Sequence, residues 1–466
     1  MSRVHEPVRK GDELSRYVIV GGGVAGTRAA ETIRRQTPTD EILILSAESR
    51  PFYRRPQLTD YAAGLLSAGA LSARPQASWR ERNLDLRLGA VVHAVKPEEH
   101  IVVTSDDAAL EYDRLIVATG LAPRMYAAWD GVGVGLPGVI SFTNLDEATQ
   151  LRALQGGGRA VVFGDTLPAL QMVQAASALG LEVTYLAAGE RILPNVLDDD
   201  ASQIVANRMR AAGVQLVWTA AVAGIVQKDE KACGVRLADG KVYSADIVGA
   251  CASYEPAADF LPGGAAALRI AEDLSTPWEH VWAAGDVVGD EPPFNWLRAW
   301  RQGERAALAA CGSPVPASPG RSTVHVLNCQ AMGLSLAAIG QTVVPYRSGP
   351  TELRTDVMGE FYKKLVFSAD DRLIGALLVG NIAEAGALEE AVKMGVGRAD
   401  LDPLLLKQLF EPTYRPQYLG VQCPVCRHEI QLEPDAKAGD RVTCPICGVD
   451  FELAEGEQGL QVKATH

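Results

Sequence analysis

The 466-residue sequence has no cysteine before Cys233, and only four of its eight cysteines, Cys233, Cys251, Cys311 and Cys329, lie outside its last tenth. A secreted disulfide scaffold would spread its cysteines through a short chain, so this usage points to an intracellular protein. Basic residues are outnumbered, with 44 Lys plus Arg against 57 Asp plus Glu and a formal charge of −13. A chain that tracks phosphates needs a basic surface, so nucleic acid is not the expected partner. Long apolar runs are missing too. A spanning helix needs about 18 uninterrupted apolar residues, and the longest candidate, Leu373 to Leu388, is broken by Asn381 and Glu384. The stretch Met1 to Asp12 lacks the apolar centre of a signal peptide. The expectation is a soluble cytoplasmic protein with no membrane partner. At roughly 100–200 residues per domain the chain has room for three or four domains, and its 47% hydrophobic content is that of an ordinary globular protein.

From Tyr17 the chain reads YVIV, GGGVAG, a helix-like stretch, then EILILSAE: strand, glycine turn, helix and strand, the order of a βαβ unit. Gly21, Gly23 and Gly26 stand at the G-x-G-x-x-G spacing. The first allows a tight turn, the second lets backbone approach a pyrophosphate, and the third lets the helix pack closely. The helix N-terminus stabilises the negative charge. Glu48, 22 residues after Gly26, is placed for the acid that binds a ribose hydroxyl about 20 residues on.

With these residues the sequence resembles the FAD-dependent pyridine nucleotide oxidoreductases, in the branch of NADH:rubredoxin reductases, ferredoxin reductases and the flavin part of assimilatory nitrite reductases. The likeness runs from about Leu14 to Pro412. Four segments fall in family order: GGGVAG, the run from Glu48 through Tyr53, Arg55 and Pro56 to Leu58, the run Tyr112 to Ala118-Thr119-Gly120, and Trp282-Ala-Ala-Gly285-Asp286-Val287. The resemblance implies that these hold the FAD ribose, the isoalloxazine entrance, a second FAD wall, and the ribityl chain and pyrophosphate. Trp300 to Ala307 fits the family helix that carries backbone amides to the flavin's pyrimidine edge. On the residues alone, small residues ending the strand at Ala118 suit a flat ligand. Asp286, after a glycine, either accepts a ligand hydroxyl at the carboxyl end of a parallel sheet or caps a helix.

A second βαβ unit begins at Arg159 to Phe163, where the resemblance implies an NADH or NADPH site. Its three glycine places hold Gly164, Thr166 and Ala169, and the glutamate that often follows is Gln171. Thr166 adds a Cβ where backbone approaches pyrophosphate, which weakens binding without forbidding it. The ribose-reading acid falls on Ala187 by alignment and on Glu190 by spacing, 21 residues after Ala169. No arginine cluster follows beyond Arg191, so NADH is favoured over NADPH.

Relatives with a redox cysteine pair, or a single peroxidatic cysteine, carry it near the first unit. This chain cannot do that chemistry there. Where ferredoxin reductases place a lysine near the flavin, Thr59-Asp60 stands, and an acid there disfavours the anionic reduced form. Cys251 and Cys329 could approach the flavin, though burial as inert thiols is the default for both. After Arg321 the chain resembles the family's interface domain, with a hairpin expected from alternation in Phe361 to Phe367, a turn at Asp370-Asp371 and the run Leu373 to Val379. This domain often forms the dimer contact in relatives, so a homo-oligomer is among the expected forms.

The tail carries Cys423-Pro-Val-Cys426, seventeen residues, then Cys444-Pro-Ile-Cys447. Paired C-x2-C knuckles at this separation suit tetrahedral zinc, and the segment resembles a small zinc ribbon. Rubredoxin shares the second knuckle, so iron is the alternative. Zinc is favoured because Arg427-His428 replaces the Gly-Tyr that usually follows the first knuckle. A zinc tail carries no electrons and would serve docking.

The reading is an α/β protein: two Rossmann-like three-layer nucleotide-binding domains of glutathione-reductase type, an α+β interface domain and a C-terminal zinc ribbon. Residues 1–13 form a flexible N-terminus, 14–125 and 257–318 the FAD-binding halves, 126–256 an NAD-binding-like domain, 319–412 the interface domain and 413–466 the ribbon. The expected activity is electron transfer between NAD(H) and a redox protein partner of iron-sulfur or rubredoxin type, or within a larger oxidoreductase complex. The rivals are an FAD relay that does not bind NAD and a structural flavin subunit.

Overall fold

The computed structural model describes residues 14–74, 76–124, 135–289, 294–315, 326–344, 351–357, 361–401, 420–423, 429–432, 436–444, 450–456 and 459–464. The N-terminal segment 1–13 lies outside them. The chain divides into two compact units: Met1–Arg54, Ser72–Ala122 and Glu255–Arg321 make the first, Arg55–Leu71, Pro123–Tyr254 and Ser322–His466 the second.

A five-stranded, wholly parallel sheet is the centre of the first unit, in the order Val281–Ala283, Arg114–Val117, Arg16–Val20, Glu41–Ser46, Asp85–Leu88. Parallel strands covered on both faces are apolar at nearly every position, and all but Arg16 of RYVIV is buried. Successive side chains still alternate: Tyr17 and Ile19 enter one core, Val18 and Val20 the other. Helix Val24–Gln36 buries Ala25, Ala29, Ala30 and Ile33 on the first of these faces, beside Ala299, Ala306, Ala307 and Ala310 of helix Trp296–Ala310. A Cβ at Gly303 would run into the Ala25 carbonyl, so the second helix owes its close seat to that glycine. Strand order reverses between Arg16–Val20 and Arg114–Val117. Ligands of open α/β sheets bind at the carboxyl ends of strands at such a switch point.

The second unit repeats the pattern in a parallel sheet ordered Gln215–Val217, Glu182–Leu186, Arg159–Phe163, Ile247–Ala250, Val139–Ile140. It also holds a five-stranded antiparallel sheet, Val326–Ala331, Leu334–Gly340, Leu373–Val379, Phe361–Phe367 and Thr351–Val357, with helix Ala385–Met394 on it. The expected hairpin is present, but Phe361–Phe367 is buried at every position after Phe361 rather than alternately. The two lysines within it find partners on both faces: Lys363 Nζ meets Glu384, and Lys364 Nζ donates to Asp198 Oδ2 at 3.0 Å. In the tail, Gly420–Gln422 pairs with Glu429–Gln431, and Asp450–Gly456 lies between Arg441–Thr443 and Gly459–Ala464. Among the described residues no helix is long and apolar enough to cross a membrane.

Candidate functional site

At the end of strand Arg16–Val20 the chain turns through Gly21, at φ 115°, where a Cβ would strike the Ala118 carbonyl. A Cβ on Gly26 would strike the Gly21 carbonyl, whereas one on Gly23 would meet no protein atom within 4 Å. The outer glycines are thus demanded by the protein's own backbone. The middle one borders open space. Gly23 is also the N-cap of Val24–Gln36, with no side-chain cap and no acid in the first turn, so the helix's first N–H groups are left for an anion. Glu48 stands two residues past strand Glu41–Ser46 and accepts a hydrogen bond from Tyr53 OH at 2.7 Å, which holds its carboxylate in place.

The neighbouring strand ends in Ala118, Thr119 and Gly120. Ala118 N donates to Val20 O at 2.7 Å, Thr119 Oγ1 donates to Ala257 O at 2.6 Å, and Gly120 has φ 72°. Beyond Val281–Ala283, Gly285 N donates to Gln302 Oε1 at 2.9 Å, tying this turn to helix Trp296–Ala310. A Cβ on Gly285 would stand 3.0 Å from Ala25 Cβ, so the turn adjoins the start of Val24–Gln36. Asp286 does not cap that later helix; Asn295 does, accepting from Arg298 N at 2.9 Å. Instead the Asp286 carboxylate accepts from Phe294 N at 3.0 Å and from Arg298 Nη2 at 2.8 Å. The first unit therefore brings Gly21, Gly23, Gly26, Ala118, Thr119, Gly120, Gly285 and Asp286 to the carboxyl edge of one sheet, with Arg298 added. Its contact with Asp286 comes only from the fold.

Arg55 and Pro56 fall in the second unit, where Arg55 donates to the Thr143 carbonyl from the short 3-10 turn Arg55–Gln57. In the same unit Gly164, at φ 120°, abuts the Cys251 carbonyl, where a Cβ could not fit. Thr166 is the N-cap of helix Leu167–Ala178 but does not cap it; its hydroxyl donates to Cys251 O at 2.5 Å. Ala187 is fully buried, its N–H donating to Val217 O, and Glu190 is exposed. An acid that the spacing did not point to lies closer to the turn. Asp165 accepts from Tyr185 OH at 3.1 Å. Burial raises its carboxyl above the usual range, against the lowering effect of bonds from Tyr185 and the Ala188 N–H. Cys251 is wholly buried, its thiol pushed far up by burial, and is inert at neutral pH. Cys329 is buried as well.

In the tail Cys423 and Cys444 are both fully buried. Cys426 and Cys447 lie outside the described residues. Among the described residues no three His, Cys, Asp or Glu side chains are grouped to hold a metal.

Residues 15–303 match the family model described as pyridine nucleotide-disulphide oxidoreductase. The chain is 25% identical over 411 residues to the ferredoxin–NAD(+) reductase component of the p-cumate 2,3-dioxygenase system of Pseudomonas putida, covering 86% of this chain and 98% of that protein. It is 26% identical to a rubredoxin–NAD(+) reductase of Ectopseudomonas oleovorans, over 81% of this chain and 99% of that one. Among solved structures, the covalent putidaredoxin reductase–putidaredoxin complex superposes with a TM-score of 0.73 at 22% identity, over 85% of this chain and 97% of its counterpart, a likeness of fold. With its glycine turn, strand ends and Asp286 turn gathered at one sheet edge, the chain belongs to the pyridine nucleotide-disulphide oxidoreductase family.

Proposed function

We propose that this protein binds FAD in its first unit and moves electrons between NADH and a small protein carrier of iron-sulfur or rubredoxin type. The observation that carries the reading is the cradle at Gly23: backbone open on its ligand side, an uncapped helix N-terminus behind it, and the Asp286 turn beside it. In this reading the N–H groups at the start of Val24–Gln36 hold the FAD pyrophosphate and Glu48 its ribose. Ala118 to Gly120 supply a flat wall, and Asp286 holds the ribityl chain. Bound there, FAD would supply the chemistry of taking up one hydride, an electron pair with its proton, and releasing the two electrons singly. The protein binds, orients and sets the local charge, and no residue acts as nucleophile. Residues 14–125 and 257–318 then form the FAD domain, 126–256 the nicotinamide domain and 319–412 an interface domain.

NADH is assigned over NADPH because no arginine cluster beyond Arg191 follows the second unit's strand to hold a 2′-phosphate. The bond from Thr166 to Cys251 O favours a second reading, a flavin relay fed by partner proteins without NAD. We assign the tail to a zinc ribbon held by Cys423, Cys426, Cys444 and Cys447 and used for docking, supported by the spacing and by the burial of Cys423 and Cys444. The cofactor itself is the first test: flavin released by heat from the purified protein is expected to be FAD in stoichiometric amount. Its absence after reconstitution would remove the assignment.

A further inference from the structure

Arg298 occupies a place that its own helix does not reward. It lies in the first turn of Trp296–Ala310, where the helix dipole favours acids and opposes cations. One edge of its guanidinium donates to Asp286 Oδ1 through Nη2 at 2.8 Å. Nε and Nη1 are buried and have no hydrogen-bond partner among the described residues. Leaving a buried donor unmatched is costly, and here two are unmatched on one side chain. Asp286 does not need all of this for its own sake, since Phe294 N already serves its other oxygen. The pair is largely buried, with side-chain exposures of 18% and 17%, so its charges are poorly screened.

We propose that Arg298 is a cofactor-binding residue that sets the flavin potential: Nε and Nη1 donate to acceptor atoms of FAD beside Asp286, and the charge favours the reduced cofactor over the oxidised one. This rests on the FAD reading above. FAD offers what the orphaned nitrogens lack, in its ribityl and phosphate oxygens and the oxygen and nitrogen atoms of the pyrimidine edge. Oxidised isoalloxazine is neutral and the reduced ring gains negative charge, so a guanidinium held in a poorly hydrated turn stabilises the reduced state more. The ion pair with Asp286 fixes the orientation of the planar fork, a role lysine cannot copy.

The test compares the wild type, Arg298→Met and Arg298→Lys, each reconstituted with FAD, by the FAD dissociation constant and the midpoint potential from an anaerobic reductive titration. The methionine variant is expected to bind FAD about tenfold more weakly or worse. Its affinity for reduced FAD is expected to fall about tenfold more than that for oxidised FAD, which for a two-electron couple lowers the potential by about 30 mV. The lysine variant, which keeps the charge and loses the fork, is expected to bind more weakly at an unchanged potential. If the wild type binds no FAD, the cofactor reading itself fails. If the wild type binds FAD and the methionine variant keeps the wild-type potential, only the assignment of Arg298 is overturned, whatever happens to overall affinity. Should the methionine variant hold no flavin, the lysine variant decides: a wild-type potential supports the assignment and a displaced one overturns it.

Discussion

Gly23 has φ −75°, open to any residue, and no protein atom near its absent Cβ. Gly23→Ala is therefore expected to leave the cofactor-free protein as stable as before, or up to about 1 kcal/mol more so through the unfolded chain. Its FAD affinity is expected to fall at least tenfold, because the methyl group enters the cradle. Gly26→Ala, whose Cβ meets the Gly21 carbonyl, is expected to destabilise the protein itself by about 1–3 kcal/mol. Thermal melts with and without FAD separate the two, and equal losses of apo stability would contradict the assigned roles. These glycines were legible in the sequence because their spacing encodes local backbone geometry. Asp165 and Arg298 were not. Asp165 matters through a tyrosine 20 residues away, and Arg298 through an acid 12 residues before it.

Strand Phe361–Phe367 shows what an element's pattern leaves out. Its apolar residues and the turn after it marked a hairpin, but nothing in the pattern showed that Lys363 and Lys364 are both buried. Each lysine instead reaches an acid placed by another element, and Asp198 is itself the N-cap of helix Asp199–Ala211. Burial pushes the Asp198 carboxyl up, but bonds from Tyr362, the Ala201 N–H and Lys364 outweigh it and hold the carboxyl below its usual range. A depressed folded value means stability that is present above the unfolded pKa of about 3.9 and is lost as pH falls through the lower folded value. Asp198→Asn is expected to remove this acid-dependent part, while asparagine still caps the helix. Lys364→Met, which strands a buried carboxylate, is expected to cost about 3–5 kcal/mol, and adding Asp198→Asn to recover much of it. Urea unfolding as a function of pH checks both. An acid limb unchanged in Asp198→Asn would count against the pair.

At the scale of the whole molecule, the two parallel sheets were legible because each βαβ unit announces itself with a β-branched run and a glycine turn. The pairing of distant strands, such as Val281–Ala283 beside Arg114–Val117, was supplied by family likeness, since nothing local encodes it. The tail is expected to bind about one zinc per chain through its four thiolates, measured by metal analysis; a red protein with iron in that amount would reverse the choice of metal. Cys444→Ser is expected to release that metal and leave flavin reduction unchanged, since a docking ribbon carries no electrons. The most direct test of the proposed function is an anaerobic titration of the FAD-loaded protein with NADH and, separately, NADPH, followed by flavin absorbance. NADH is expected to bleach the flavin stoichiometrically and NADPH to do so only at much higher concentration. A flavin that dithionite bleaches but neither nucleotide does would contradict electron transfer from NADH and leave the partner-fed relay in its place.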